Sequence, residues 1–373
     1  MKSVFWIAAA TIGYAYVGYA GWLWLRSRWA PRPIRRGTLE PAVSAVMVVR
    51  NEETVIARKL ENLLTLEYPP EKVQVVVVSD GSTDRTTAIL KEFDENSRVR
   101  TLLKPESQGK ALGLNDAIKL ASGEILLFTD ARQAIEPAAL RLLVENFADP
   151  AVGCVSGELM LGDPLSGETE KGMGLYWRIE KKIREMESAS GSVAGATGAL
   201  YCARRDLLEP LPAGTILDDV LLPMQVLRKG ARVVFDSRAR AWDSPDLGES
   251  REFSRKVRTL SGNYQLLQLA PWLLSSQNPI WFEFISHKLS RLIVPFALVA
   301  LLAASLFLPQ PWYRAALVAQ LAFYGLSLLA MVGVKIGPLS RVAEAARTIV
   351  VLNSAAFLAF VNFVTGRKAV WVR

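Results

Sequence analysis

Long runs of apolar residues at both ends of the chain enclose a more polar middle. Residues 4–25 contain no charged side chain. Three further charge-free runs lie near the other end, at residues 292–308, 315–334 and 349–365. At 1.5 Å per residue, the first run is long enough to cross a bilayer as a helix. We therefore predict an N-terminal transmembrane helix over residues 1–26 and a C-terminal region of about three spans over residues 291–373.

Two alternatives apply to these runs. A cleaved signal peptide is the alternative for the first run, but Trp22, Trp24 and an arginine-rich tract follow it instead of a small-residue cleavage site. The first and third of the later runs are near the lower length limit for spanning. A re-entrant or interfacial helix therefore stays open for either of them.

The segment that precedes the C-terminal spans has a mixed character. Within residues 264–290, Trp281 and Phe282 stand beside Glu283 and Lys288. Aromatic residues interleaved with charges are typical of a helix that lies in the plane of the membrane interface. We therefore predict an interfacial amphipathic helix over residues 264–290.

Residues 41–263 follow a different pattern, in which short apolar runs alternate with segments of helical spacing. The apolar runs, which are rich in β-branched residues, occupy residues 43–49, 73–78, 99–103 and 125–128. Apolar positions recur three and four residues apart within 53–66 and 110–121. Strands that alternate with helices at this spacing predict an α/β domain with a parallel sheet.

Acidic residues stand where two of the predicted strands end. Asp80 follows the second apolar run, and Asp130 follows the fourth. Since ligands of open α/β sheets bind beyond the carboxyl ends of the strands, both carboxylates are expected to line one crevice. The hydroxyls and flexible backbone after Asp80 are typical of a site for a phosphate-bearing ligand with a ribose or base. In the alternative, Thr83 or Asp84 caps the next helix, and both functions are compatible.

A second acidic pair, Asp218 and Asp219, precedes an apolar helical stretch. Capping of that helix is one interpretation. The other is catalytic: a transfer reaction needs a base on the acceptor side, separate from the carboxylates that hold the leaving group.

The composition excludes several other classes of protein. Of the 373 residues, 51% are apolar and 21% charged, with a single histidine, His287, so a Ser-His-Asp triad or a histidine-rich metal site is disfavoured. No Gly-rich dinucleotide fingerprint or Walker loop follows a strand, which disfavours dehydrogenases and ATPases. The charge-free spans lack the intramembrane charges and paired repeats of transporters. Cys154 and Cys202 are expected to be buried thiols in a reducing compartment.

The net charge of +8 is concentrated beside the first apolar run. Five arginines occupy eleven residues there: Arg26, Arg28, Arg32, Arg35 and Arg36. A juxtamembrane cluster of this kind indicates the cytoplasmic side of a membrane rather than a nucleic-acid surface. We therefore expect an integral protein of the plasma (inner) membrane with a cytoplasmic central domain that contacts membrane lipid and does not bind nucleic acid.

Taken together, six motifs in order resemble the family 2 glycosyltransferases, in particular the membrane-embedded polysaccharide synthases related to cellulose, chitin and hyaluronan synthases. The similar segments cover most of residues 41–263 and are Asn51-Glu52-Glu53, Asp80-Gly81-Ser82-Thr83-Asp84, Gly109-Lys110, Asp130-Ala131-Arg132, Ala196-Thr197-Gly198 and Leu217-Asp218-Asp219.

The resemblance implies a GT-A fold, which is Rossmann-like, and an inverting displacement from a nucleotide-sugar donor. By this resemblance Asp80 contacts the nucleoside, Asp130 holds the diphosphate through Mg²⁺ or Mn²⁺, and Asp219 is the general base. It also implies that Asn51, Glu52, Lys110 and Asp218 bind the substrate. Arg132, Arg255 and Arg258 depart from the family pattern, and we expect them to bind the diphosphate, with an Arg132 that points away from the site as the alternative.

Three departures from the family pattern change these expectations. Ser79 replaces the first aspartate of the Asp-Asp-Gly motif. Arg132 replaces the second aspartate of the Asp-x-Asp metal motif, which removes a metal ligand and adds a phosphate-seeking cation. The Gln-x-x-Arg-Trp motif of chain-extending synthases has no copy; Arg255 and Arg258 occupy its place, where a basic surface helix is the alternative.

Three functions stay open at this point. The first is an enzyme that extends a polysaccharide or membrane glycan from a nucleotide-sugar donor, with a UDP-sugar expected. The second is a transferase that moves one sugar to a lipid carrier or glycolipid acceptor. The third is a membrane protein that binds nucleotide sugars without catalysis.

Overall fold

The computed structural model describes residues 1–162, 175–243, 249–334 and 337–366. Within these ranges the strands are β1 (Val43–Val49), β2 (Val73–Asp80), β3 (Val99–Lys104), β4 (Ile125–Phe128), β5 (Ala134–Ile135), β6 (Val152–Leu161), β7 (Tyr201–Arg204) and β8 (Arg232–Asp243).

The helices lie between the strands and at both ends of the chain. They are α1 (Lys2–Gly13), α2 (Tyr19–Trp29), α3 (Ile56–Leu64), α4 (Thr86–Phe93), α5 (Lys110–Leu120), α6 (Ala139–Val144), α7 (Leu175–Ser190), α8 (Asp218–Arg228), α9 (Glu249–Leu269), α10 (Trp281–Phe284), α11 (Ser290–Phe307), α12 (Pro311–Met331) and α13 (Ser340–Val364).

The described strands form one mixed sheet in the order β3-β2-β1-β4-β7-β6-β8-β5. Strands β3, β2, β1 and β4 run parallel, whereas β7 is antiparallel to both of its neighbours and β5 is antiparallel to β8. The predicted α/β fold is confirmed, and its parallel part is the half that contains the strand-end carboxylates. Because β7 lies beside β4 in the antiparallel direction, the complete sheet is mixed.

The central strands are buried on both faces, as their unbroken apolar sequences require. Helix α3 covers one face with Ile56 and Leu60, and α5 covers the other with Leu114 and Ala117. Because side chains alternate across a strand, β1 and β2 contribute to both apolar clusters. The two cysteines are buried free thiols, as expected from the sequence.

Four helical segments within the described residues are long and apolar enough to cross a membrane. They are Lys2–Trp29, Trp281–Phe307, Pro311–Met331 and Ser340–Val364. This confirms membrane-type helices at both ends of the central domain. The second and fourth segments have 27 and 25 residues, longer than their charge-free cores, so short length no longer argues for re-entrant helices there. Residues 367–373 of the expected C-terminal region lie outside the described residues.

Each of the first two segments contains one π-helical turn, and the two turns are in contact. They cover Tyr14–Gly18 and Ile285–Leu289. The hydroxyls of Tyr14 and Ser286, one from each turn, are 2.6 Å apart. A π turn accommodates one extra residue within an α-helix. The side-chain faces on either side of it are therefore rotated relative to a continuous helix.

Residues 264–290 do not form the single interfacial helix expected from the sequence. Helix α9 ends at Leu269, a short 3₁₀ turn covers Pro271–Leu274, and the second membrane-type segment already begins at Trp281. The reason is local. Pro271 cannot continue the hydrogen bonding of α9, and the Asn278 side chain binds the backbone of Leu273 and Ile280 in the connecting turn.

Gly81 allows the turn after β2 to fold against the loop before α5. Its φ of +67° is unfavourable for residues with a Cβ, and a Cβ there would lie 2.4 Å from the Ser107 backbone nitrogen. We expect Gly81→Ala to lower the free energy of unfolding by about 2 kcal/mol or more, because backbone strain and a steric clash add. Thermal denaturation of the purified protein measures this change.

Gly214→Ala is the matched control for this variant. Gly214 also has a positive φ, +75°, but a Cβ there meets nothing within 4 Å. Its substitution should cost about 1 kcal/mol, from strain alone. Equal melting temperatures for the two variants would contradict the close approach at Gly81.

Candidate active site

Three loops meet at the carboxyl edge of the parallel strands. Asn51 follows β1, Asp80 is the last residue of β2, and Asp130 follows β4. Because β1 is hydrogen-bonded to both β2 and β4, the three strand ends are neighbours. The expectation that Asp80 and Asp130 share one edge of the sheet agrees with this arrangement.

Lys110, the first residue of α5, joins the carboxylates that come from distant parts of the chain. Its Nζ lies 2.9 Å from Asp130 Oδ1 and 3.2 Å from Asp218 Oδ2. Burial disfavours the charged amine, but attraction to Asp130 and Asp218 outweighs burial and raises the pKa of Lys110 above its ordinary value. Lys110 therefore remains a cation at neutral pH and connects the strand-end site to the start of α8.

Asp219 lies near Asp130, and Gly198, which has no side chain, lies between them. Its Oδ2 accepts a hydrogen bond of 3.2 Å from the Gly198 N–H. A Cβ built on Gly198 would lie 3.4 Å from Asp219 Oδ2 and 3.6 Å from Asp130 Oδ2. The N-cap of α8 is Leu217, and Asp218 and Asp219 are the first two residues of the helix, so neither aspartate is the N-cap residue.

The environment of Asp219 disfavours its ionised form. Burial, and then repulsion from Asp218, raise the pKa of Asp219 to about 6, against the attraction of Lys110 and Lys288. A carboxylate with a pKa near 6 is ionised at neutral pH and accepts a proton more readily than an exposed aspartate.

Asp80 is more thoroughly bonded to the protein than the sequence indicated. It is 3% exposed, and its carboxylate accepts hydrogen bonds from Ser107 Oγ (2.7 Å), Gln108 N (2.8 Å) and Gly109 N (2.9 Å). Asp80 thus fixes the loop that leads into Lys110. A carboxylate has about four acceptor positions, so contact with a nucleoside stays a prediction for the one that remains.

Asn51 and Glu52 connect the loops after β1 and β2. Asn51 has a φ of 56°, and its side-chain oxygen accepts a hydrogen bond of 2.8 Å from Thr83 N. The Glu52 backbone N–H donates to Thr86 Oγ1 at 2.8 Å. Asp84 accepts at 3.0 Å from the N–H of Thr86, the first residue of α4. The N-cap is Arg85, so Asp84 binds a first-turn N–H from one residue before the capping position.

Arg132, at the position of the missing second aspartate, is held by an ion pair. Its Nη2 lies 3.0 Å from Asp243 Oδ2 at the end of β8. Arg255 on α9 is in the same neighbourhood: burial and repulsion from Arg132 lower its pKa, while Asp243 and Asp130 act in the opposite direction. Arg258 lies one helical turn further along α9. The structure thus brings at least two of the three predicted arginines to one side of Asp130.

Two residues of the site were not singled out from the sequence. Lys59 on α3 is 2% exposed and donates to Thr129 Oγ1 and to the Gln133 carbonyl, both at 2.8 Å, on either side of Asp130. Tyr201 stacks on Phe128, and its buried hydroxyl has no hydrogen-bond partner among the described residues. Neither could be found from local sequence, since each depends on contacts between distant segments.

The residues at Asp130 fit a divalent cation only if a ligand supplies most of the coordination. Asp130 Oδ1 is taken by Lys110, and Oδ2 faces the space beside Gly198. The described residues contain no cluster of three or more His, Cys, Asp or Glu side chains suited to a metal. One carboxylate oxygen is nevertheless compatible with Mg²⁺, which often binds through one or two carboxylates together with substrate phosphates.

The chain is similar to several known glycosyltransferases. Residues 44–211 match the model of the family Glycosyl transferase family 2. The poly-beta-1,6-N-acetyl-D-glucosamine synthase of Staphylococcus epidermidis is 24% identical over 262 residues, which are 69% of this chain and 61% of that protein. The corresponding synthase of Staphylococcus aureus (strain COL) is 24% identical over 229 residues, 60% of this chain and 55% of that protein.

The chain thus spans about three fifths of the length of these curated relatives. Among solved structures, a mannosyltransferase from Pyrobaculum calidifontis, in complex with GDP-Man and Mn²⁺, has a TM-score of 0.75 at 23% identity. The similarity covers 98% of this chain and 100% of that one, and it supports the GT-A fold. Within the central domain, residues 44–211 thus match the model of a glycosyltransferase family, and the chain as a whole is similar in fold to the mannosyltransferase.

Proposed function

We propose that the protein is an inverting hexosyltransferase that moves a sugar from a nucleotide-sugar donor to an acceptor at the membrane. The observation that carries this proposal is the position of Asp219, a carboxylate with a raised pKa beside Asp130, at the strand edge of a family 2 domain. A base and a leaving-group site are thereby adjacent, as a single displacement requires.

In this mechanism an acceptor hydroxyl approaches Asp219 and gives its proton to the free carboxylate. The acceptor oxygen forms a bond to the anomeric carbon, while the bond from that carbon to the nucleoside diphosphate breaks. The Gly198 N–H holds Asp219 Oδ2. Because attack and departure take place on opposite sides of the anomeric carbon, the product has inverted configuration.

The diphosphate leaves with negative charge, and the cations of the site offset it. Lys110 lies between Asp130 and Asp218, and Arg132 and Arg255 lie near Asp130. Fixed cations in a partly buried site stabilise a charge that grows in the transition state. Asp80, Asn51 and Glu52 would contact the nucleoside, and Arg258 would extend the phosphate site.

We assign a divalent cation, Mg²⁺ or Mn²⁺, to Asp130 Oδ2. When bound, this ion supplies Lewis-acid stabilisation of the diphosphate. Known proteins of similar fold support this assignment, since the mannosyltransferase from Pyrobaculum calidifontis was crystallised with Mn²⁺.

The arginine cluster after the first span supports an inner-membrane protein with its catalytic domain in the cytoplasm. Arg26 pairs with Glu283 at the start of the second membrane-type segment, so part of the cluster also ties the two segments together. A cytoplasmic position gives the site access to nucleotide sugars and to membrane-bound acceptors.

Two kinds of product fit this chemistry. The names of the staphylococcal relatives favour extension of a glycan. The absence of a Gln-x-x-Arg-Trp motif in this sequence favours transfer of a single sugar to a lipid carrier or glycolipid. A UDP-sugar is the first donor to test, with GDP-mannose beside it.

We expect Asp219→Asn to lower kcat by about 10²–10⁴-fold, because the amide cannot accept the proton. Donor binding should change little. Membranes that carry the full chain, supplied with radiolabelled nucleotide sugars, provide the measurement. Asp206→Asn, an exposed carboxylate at the far end of β7, is the control and should keep wild-type activity. Unchanged turnover in Asp219→Asn would remove the proposed base.

The wild-type pH profile gives a second measure of the same residue. Since the pKa of Asp219 is raised to about 6, the carboxylate becomes protonated below that pH and can no longer act as a base. We expect kcat/KM to fall about tenfold per pH unit below pH 6 and to level off above it. A flat profile between pH 5 and 7 would contradict the assignment.

Removal of divalent ions should abolish transfer. We expect EDTA to reduce activity at least tenfold and Mn²⁺ or Mg²⁺ to restore it, because the phosphates of the donor complete the coordination at Asp130. Asp130→Asn should raise the metal concentration needed for half-maximal activity. Full activity in EDTA would show that Lys110, Arg132 and Arg255 neutralise the diphosphate without a metal.

Sizing of the products separates extension from single transfer. For single transfer we expect one labelled species that enters the organic phase with one sugar per lipid. A ladder of increasing length would instead show extension. Incubation of membranes with each nucleotide sugar in turn, followed by lipid extraction and gel electrophoresis, makes the distinction.

A further inference from the structure

A buried group of ionisable side chains joins α7 to both of the first two membrane-type segments. The His287 ring nitrogens lie 2.8 Å from Glu187 Oε1 and 3.0 Å from Glu180 Oε1. Tyr19 also donates to Glu187, at 2.6 Å, and Arg291 pairs with Glu180 at 2.7 Å. Glu180 and Glu187 of α7 therefore both contact the membrane-type segments, although Glu187 Oε2 has no hydrogen-bond partner among the described residues.

Two cations of this region are left over. Arg184 lies between Glu180 and Glu187 on the same face of α7, and Lys288 follows His287 directly. Among the residues that the structure describes, neither Arg184 nor Lys288 forms an ion pair with a carboxylate. Arg184 lies over the Phe235 ring at 4.5 Å, and attraction to Glu180 and Glu187 offsets part of the cost of its burial. A bound anion would add the ion pair that both cations lack.

Hydrogen bonds connect Arg184 to the segment that holds the candidate base, and Lys288 lies beside the same part of α7. Arg184 Nη2 donates to Ser156 Oγ at 2.7 Å, and the same oxygen accepts from Thr197 N at 3.0 Å. Thr197 precedes Gly198, which holds Asp219. Lys288 follows His287, whose ring contacts Glu180 and Glu187 on the face of α7 that carries Arg184.

The surroundings place Lys288 near the depth of lipid head groups. Four aromatic side chains at the adjoining ends of the first two segments are exposed: Trp22, Trp24, Trp281 and Phe282. Exposed aromatics of this kind mark the membrane–water interface. Lys288 lies about two helical turns beyond Trp281, and the charge-free run of the same segment begins after Arg291.

We propose that Arg184 and Lys288 bind the phosphate of a membrane lipid that is the sugar acceptor, so that a hydroxyl of its head group reaches Asp219. This inference rests on the proposed function and names its acceptor class. Arg184 offers several N–H groups to phosphate oxygens, and Lys288 offers a point charge. The acyl chains stay in the bilayer beside the first two segments while the head group enters the crevice.

A non-reacting probe tests the site without turnover. Dihexanoyl phosphatidic acid has the phosphate and short acyl chains but no hydroxyl on its head group, dihexanoylglycerol lacks the phosphate, and inorganic phosphate lacks the chains. We measure the affinity of each probe for the full-length protein in detergent by calorimetry. We expect phosphatidic acid to bind more tightly than both other probes, by about tenfold or more, since charge-assisted hydrogen bonds add to the apolar contact.

Variants identify the residues responsible. Lys288→Gln and Arg184→Gln should each weaken phosphatidic acid about tenfold and leave donor affinity unchanged. Lys182→Gln is the matched control on α7, since Lys182 is exposed and pairs with Glu185 at the surface. Lys288→Arg keeps the charge and should retain binding, which separates loss of the phosphate contact from misfolding. A melting temperature is recorded for each variant.

Three results would overturn the proposal. The first is equal affinity for dihexanoylglycerol and phosphatidic acid. The second is equal affinity for inorganic phosphate and phosphatidic acid, which would assign the cations to a soluble anion. The third is unchanged binding in well-folded Lys288→Gln and Arg184→Gln.

Failure of the acceptor proposal and failure of the proposed function are distinguishable. Asp219→Asn should abolish transfer and still bind phosphatidic acid with wild-type affinity. Transfer that Asp219→Asn abolishes but Lys288→Gln leaves unaltered, with the acceptor KM unchanged, would keep the enzyme and remove the phosphate site. If the wild-type protein binds phosphatidic acid but transfers no sugar, the phosphate site is kept and the proposed function is removed.

Discussion

The ion pairs of Lys110 with Asp130 and Asp218 are the contacts on which the arrangement of the site depends. They connect the end of a parallel strand with the first turn of a helix that lies almost ninety residues later in the chain. Without the ammonium group, the half-exposed carboxylate of Asp130 and the buried carboxylate of Asp218 would lie close to each other and to Asp219. Repulsion among them would favour protonation or separation of the loops. The cation therefore stabilises the geometry in which the proposed base and the proposed phosphate site are adjacent.

The mixed sheet explains how that proximity arises. Strand β7 enters beside β4 in the antiparallel direction, so the segment that precedes it, including Gly198, lies at the edge where β4 ends at Phe128. A chain with only parallel strands would need a further crossover helix to reach this edge. The antiparallel entry is shorter, and it leaves Gly198 between Asp130 and Asp219 with no side chain in the space.

Much of this architecture follows from the sequence, and the exceptions have physical causes. Unbroken β-branched runs predict the buried strands and hence the common edge of Asp80 and Asp130. Position along the chain cannot show that Asp80 is bonded to residues 107–109 or that Arg132 pairs with Asp243, since these contacts form between distant segments. The sequence pattern indicates the pair Asp218 and Asp219, and only the family resemblance favours Asp219 over Asp218 as the base. The prediction of a single helix over residues 264–290 was wrong. It gave the apolar and aromatic residues of this segment more weight than Pro271 and Pro279, which interrupt a helix.

The paired π turns at Tyr14–Gly18 and Ile285–Leu289 restrict the insertions and deletions that the two segments can accept during evolution. One added residue turns everything beyond it by about 100° around the helix axis. In the second segment, His287 within the π turn contacts α7, while α11 beyond the turn packs on α1 of the first segment. Loss of a residue from one π turn alone would leave the two segments out of phase. Insertions and deletions here are therefore expected to be inherited in matched pairs.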